Sequence, residues 1–217
     1  MNYVYCIINK NIKQSFGYIG VEDKEVYTIP HKDVSLVVHD SDKEAKLNVE
    51  DHLICHQYVI SFLTKKFNTV IPFGMNTFIK KEKAEPFLEK NYETFKKKLE
   101  SLKDKSEFIV QIFYDPEPKK SELKGSVKDY ILKQKKLRKD VLEELTKFRK
   151  KFYNQIKEIV DDIKIKEDED DEKPLLSMSC LVHKNKVKEL QKSLRNISSR
   201  QGFRVHFSGP WTIYSFV

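Results

Sequence analysis

Between residues 3 and 38 the apolar residues gather in three short runs, YVYCII, EVYTI and VSLVV, divided by polar residues and by the Gly17 and Gly20 turn region. Short runs rich in β-branched and aromatic residues predict the strands of a small sheet. The period then changes. Leu53, His56, Ile60, Leu63 and Phe67 recur at steps of three and four, which predicts a helix from Val49 to Phe67 with one buried face. VIPF at 70–73 predicts a short strand that Pro72 confines to an edge or an end. Ala84, Leu88, Tyr92, Phe95, Leu99 and Leu102 fall on one stripe and predict a second helix, charged on its outer face.

A strand EFIVQIFYD follows at 107–115 and is stopped by Pro116 and Pro118, after which Gly125 and Ser126 read as a helix entry with Ser126 as N-cap. No glycine or proline occurs between Ser126 and Lys173, and Tyr130, Leu137, Val141, Leu145, Phe148, Phe152, Ile156, Ile159 and Ile163 keep helical spacing. This predicts one long helix over 126–165, then a solvated acidic linker at 166–173 that contains the six acids EDEDDE. LLSMSCLV at 175–182, the stripe Val187, Leu190, Leu194 and Ile197, and FRVHF at 203–207 predict strand, helix, strand. The order from residue 107 is β-α-β-α-β, that of a ferredoxin-like domain. The expected fold class is α+β in two domains: 1–105, a small mixed sheet with helices, and 106–217, the ferredoxin-like domain with its long helix.

With 217 residues, 39% of them hydrophobic and 12% aromatic, the chain can bury two cores. The charged fraction is 34% and the net charge +8, much of it lysine on the outer faces of helices. That charge admits an anionic partner without specifying one. Cys6, Cys55 and Cys180 are odd in number and far apart, which implies reduced thiols and a cytosolic setting. No run reaches the roughly 20 apolar residues of a membrane span.

Chemistry is sparsely signalled. His52 and His56 in HLICH sit four apart on a helix, but leucine stands where a zinc protease carries its general-base glutamate. His56, on the apolar stripe, reads as a hydrogen-bonded core or interface histidine. No G-x-S-x-G elbow frames a serine and no glycine-rich phosphate loop occurs, so neither catalytic residues nor a cofactor, metal or small-molecule substrate is expected. A ferredoxin-like sheet with positive charge raises RNA binding as the alternative function, but VQIFY and SMSCLV lack the aromatic pattern of an RRM.

The ending SGPWTIYSFV is the most distinctive stretch. At Gly209, Pro210, Trp211, Tyr214, Ser215 and Phe216 it resembles the Gly-Pro-Trp-Pro-Pro-Tyr-Ser-Phe ending of the GvpL/GvpF family of gas vesicle proteins. YVY at Tyr3–Tyr5, the His56-bearing helix, VIPFG at 70–74, the strand led by Glu107 and G-x-x-x-x-Y-I-L from Gly125 follow in the family's order. Thr212 and Ile213 replace the proline pair, and the arginine expected after the helix-closing proline is absent from IPFGMNT. The resemblance implies a cytoplasmic or gas-vesicle-bound accessory protein that does no catalysis. It also implies binding to the hydrophobic major shell protein, as nucleator or chaperone, with contacts to other gas vesicle accessory proteins and none to nucleic acid or membrane. The six motif residues are the candidate partner-binding positions.

Overall fold

Seven consecutive buried residues, Asn2–Ile8, form the first strand, β1. A strand with no polar face belongs between two covering layers. The computed structural model describes residues 1–42, 49–115, 127–166 and 174–217. After β1 come β2 (Val26–His31), β3 (Val34–Asp40), α1 (Val49–Phe67), β4 (Val70–Pro72), β5 (Phe78–Ile79) and α2 (Ala84–Leu102). The sheet order is β2-β3-β1-β4, with β5 also on β1. Each of these pairings is antiparallel, where a mixed sheet is expected from sequence. The reason is the crossover: α1 carries the chain over β1, so β4 returns in the direction of β3 and runs against the strand between them.

Tyr3, Tyr5, Cys6 and Ile8 pack with Val59, Ile60 and Leu63 of α1, whereas Val4 and Ile7 pack with Leu88, Tyr92, Phe95 and Leu99 of α2. Strict alternation would send Cys6 to the α2 side with Val4. A register shift between Val4 and Cys6 in the β1–β3 ladder is the β-bulge that turns both Tyr5 and Cys6 toward α1.

Four polar rings are enclosed on that side. Tyr5 Oη accepts from the Val21 amide at 2.9 Å and is hydrogen-bonded to His39 Nδ1 at 2.9 Å. Tyr3 Oη accepts from the Asn76 amide and donates to His56 Nδ1 at 2.8 Å, and His56 Nε2–H donates to the Phe73 carbonyl at 3.1 Å. The Phe73 carbonyl thus fixes the His56 proton on Nε2, and His56 is the hydrogen-bonded core histidine that its place on the stripe predicts. Gly20 makes room for the cluster, since a Cβ there would lie 2.7 Å from the Lys24 carbonyl and 3.0 Å from Tyr5 Oη.

The second half comprises β6 (Lys105–Tyr114), α3 (Val127–Lys157), β7 (Asp162–Ile165), β8 (Leu176–His183), α4 (Val187–Ser198) and β9 (Phe203–Trp211), in the order β7-β8-β6-β9. This is the ferredoxin-like arrangement with a strand that sequence reading assigns to the helix. α3 stops at Lys157, and Ile163, for all its helical spacing, pairs with Cys180 in the β7–β8 ladder. Phe108, Val110 and Ile112 of β6, Phe152 and Ile156 of α3, Met178 and Cys180 of β8 and Leu190 and Leu194 of α4 build one core. The expected N-cap Ser126, Pro116, Pro118 and all of the acidic linker but Lys166 lie outside the described residues.

The chain divides into two compact units, Met1–Glu107 together with Pro210–Val217, and Phe108–Gly209. The last eight residues, placed by sequence with the C-terminal domain, are part of the first unit. The reason is burial: Tyr214 packs on the core beneath α1 and Val217 on the core beneath α2.

Candidate functional site

Glu107, at the start of β6, is 4% exposed. A buried carboxylate needs donors, and three come from the terminal segment. Oε2 accepts the Tyr214 amide at 2.9 Å and the Ser215 amide at 2.8 Å, while the Ser215 hydroxyl donates to Oε1. Two features noticed separately in the sequence, the glutamate-led strand and the Tyr-Ser pair, are thus halves of one clasp. Thr64 and Thr212 share a hydroxyl hydrogen bond at 3.2 Å, and Tyr214 Oη reaches Gln57 Oε1 at 3.4 Å, so the segment lies along α1. Burial pushes the Tyr214 phenol up to about 12, which keeps it a neutral donor.

The six motif positions divide between support and display. Gly209 takes φ +132°, a backbone that side chains rarely adopt, inside edge strand β9. Pro210 does not end that strand, which continues to Trp211, because an edge tolerates a missing donor. Trp211 is 54% exposed. Tyr214, Ser215 and Phe216 are half-buried, the first two held as described.

The neighbouring face of α1 carries the strongest surface signal of this unit. Leu53, Ile54 and Tyr58 are exposed, Ile54 to 67%, and flank the Gln57 that meets Tyr214. Tyr18, also exposed, is in the loop whose Ile19 carbonyl accepts from Cys55 of the same helix. Sequence reading puts Leu53 on the buried stripe and passes over Ile54 and Tyr58. The signal was available: Ile54 and Tyr58 are four apart on a helix whose buried face His56, Ile60 and Leu63 already fill. Four exposed apolar side chains with no chemistry among them suit contact with an apolar protein surface.

An RNA platform needs exposed aromatics on the central strands. On β8 the residues alternating with the core set are Ser177, Ser179 and Leu181, all buried, and on β6 Phe113 is buried under the Arg204 guanidinium at 4.4 Å. Among the described residues no helix is long and apolar enough to cross a membrane.

Comparison with known proteins agrees with this architecture. The model of the family described as gas vesicle synthesis protein GvpL/GvpF matches residues 1–217. Gas vesicle protein L1 of Halobacterium salinarum is 24% identical over 255 aligned positions, covering 99% of this chain and 89% of that protein. Gas vesicle protein L of Haloferax mediterranei is 23% identical, covering 91% and 72%. The crystal structure of GvpF from Anabaena sp. PCC7120 superposes with a TM-score of 0.77 at 15% identity over 99% of this chain and 94% of that one. That of GvpF from Microcystis aeruginosa gives 0.74 at 17% identity, over 99% and 98%. With a family match across its whole length and the fold of two solved GvpF structures, the chain belongs to the GvpL/GvpF family of gas vesicle synthesis proteins.

Proposed function

We propose that this protein is a non-catalytic accessory of gas vesicle formation that binds the hydrophobic major shell subunit through the exposed apolar face of α1, acting as chaperone or nucleator. The single observation that carries the reading is the cluster of Leu53, Ile54 and Tyr58 on a helix face beside the clasped terminal motif. A shell that excludes liquid water needs an apolar inner face, and subunits that expose one before assembly aggregate. A soluble partner with a small apolar patch on a lysine-rich body covers such a surface while keeping the complex dispersed. Three of the six terminal motif residues contribute: Tyr214 and Ser215 fix the segment against α1, and Trp211 adds an aromatic anchor. The place of action is the cytoplasm, at the growing vesicle, in company with other gas vesicle proteins.

Co-expression of this chain with a small gas vesicle shell protein tests the reading. The two are expected to co-purify, and Ile54→Glu with Tyr58→Glu to abolish co-purification while the circular dichroism spectrum is unchanged. Absence of co-purification with the parent chain, or its persistence in the double variant, would count against the α1 face.

A further inference from the structure

At one margin of the second unit's sheet lies β9, which among the described strands pairs with β6 alone. Just before β9 the Gly202 carbonyl accepts from the Asp115 amide, at the end of β6, at 2.8 Å, so Gly202 turns its backbone toward β6. By strand alternation Arg204 and His206 do the same, and Val205 and Phe207 turn their N–H and C=O groups away from the sheet. The Phe203 amide keeps this phase, since it donates outside the ladder to the Arg200 carbonyl at 3.1 Å. An edge of this kind offers donors and acceptors to an extended chain.

A groove of about 230 Å³ runs between β9 and α4, walled by Val205 and Phe207 on the strand and by Gln191, Leu194, Arg195 and Ser198 on the helix. Its floor is apolar, because Leu194 is buried and Phe207 stacks on Phe108 at 5.1 Å. Its outer rim is basic. At about 100° per residue, Lys188 lies about 20° from Arg195 around α4 and Lys192 about 60°. Glu189, the acid of this helix, lies about 120° from Arg195, on the side away from the groove. All four side chains are exposed. On the other face of β9 charge is balanced, since Arg204 pairs with Asp115 at 3.1 Å.

We propose that the β9 edge and this groove bind an extended segment of another protein, one with an apolar core and acidic flanks. Such a segment adds a strand beside Val205 and Phe207, lays its apolar side chains over Leu194 and Phe207, and sets its carboxylates against Arg195 and Lys188. Pairing with β9 of a second copy is disfavoured, because it brings two rims of Arg195 and Lys188 together, like charge against like. A docked helix leaves the outward N–H and C=O groups of the strand unmet, and nucleic acid gains nothing from the apolar floor.

Fluorescence anisotropy of the full chain with two labelled, end-blocked peptides is the test. Both share the core Val-Thr-Val-Thr-Val, flanked at each end by two glutamates in one peptide and by two lysines in the other. The glutamate peptide is expected to bind more tightly by about tenfold or more, and less tightly as salt rises. Lys188→Glu/Arg195→Glu should reverse the order of the two peptides. Gln191→Trp, which fills the groove, should weaken binding of the glutamate peptide by about tenfold or more. Circular dichroism checks that these variants keep the fold. N-methylation of alternate core residues should abolish binding in one phase and spare it in the other, as strand pairing requires. Equal binding of the two peptides, binding of neither, or indifference to Gln191→Trp or to methylation would overturn the proposal. So would a parent chain that dimerises without peptide and becomes monomeric with Gln191→Trp, which assigns the edge to a second copy. The result is independent of shell binding, which is assigned to the first unit.

Discussion

Glu107 shows how one residue decides where a chain terminus goes. Its buried carboxylate accepts two backbone amides and a hydroxyl from Tyr214 and Ser215, charge-assisted bonds in a site with little water. Glu107→Ala is expected to destabilise the protein by about 2–4 kcal/mol in denaturant unfolding, because the donors lose their acceptor. Amide exchange at Tyr214 and Ser215 should accelerate at the same time; unchanged exchange there would disprove the clasp. The buried histidines give a pH signature. Burial holds His39 down to about 4, with Lys24 adding to the effect, and burial lowers His56 as well. Above about pH 6.5 both are neutral, folded or unfolded. Below that the unfolded chain takes up protons that the folded chain refuses. Stability is therefore full above about 6.5 and falls below it, for His39 down to about 4, by up to about 1.4 kcal/mol per pH unit for a histidine that stays neutral when folded. Urea midpoints measured across that window should decline as pH falls. A Tyr5→Phe variant should leave the direction intact while lowering stability at every pH, since it strands the Val21 amide.

Among the elements, α3 is the one whose sequence and structure diverge most. Its periodicity runs past Lys157 to Ile163, yet the chain turns at residues 158–161 and enters β7. Ile163 satisfies both patterns, because helical spacing and strand pairing each bury it against the same core. The helix is secured at one end by Phe152, which stacks near Phe148, meets Phe203 edge-on and lies under Arg200. Phe152→Ala is expected to cost about 3–5 kcal/mol, with a cavity at the centre of the second core. Thermal unfolding with an unchanged midpoint would refute that assignment. β1 presents the opposite case. Its uninterrupted apolar run announces burial on both faces, but the bulge that places Tyr5 and Cys6 on the same side has no sequence marker of its own.

At the scale of the molecule, the first unit is discontinuous in sequence, completed by Pro210–Val217 from the far end of the chain. Deleting those eight residues should therefore weaken the first unit selectively. Hydrogen exchange is expected to speed up in β1 and α1 while β8 and α4 keep their protection. Equal loss in both units would show that the terminal segment does not belong to the first. The exposed apolar residues Leu53, Ile54 and Tyr58 of α1 belong to this first unit, where the shell contact is proposed.

Local pattern alone determined the four helices of the described residues, most of their strands and the α+β class, because periodicity and glycine and proline placement act within a few residues of one another. The terminal motif and Glu107 were both legible as distinctive residues. Their partnership was not, since a hydrogen bond spanning 107 or 108 positions leaves no trace in local spacing. For the same reason the exposed face of α1, the bulge in β1 and the strand cut from the end of the long helix were decided only by the tertiary structure. Which side of an element is covered depends on what packs there, and those partners come from distant parts of the chain.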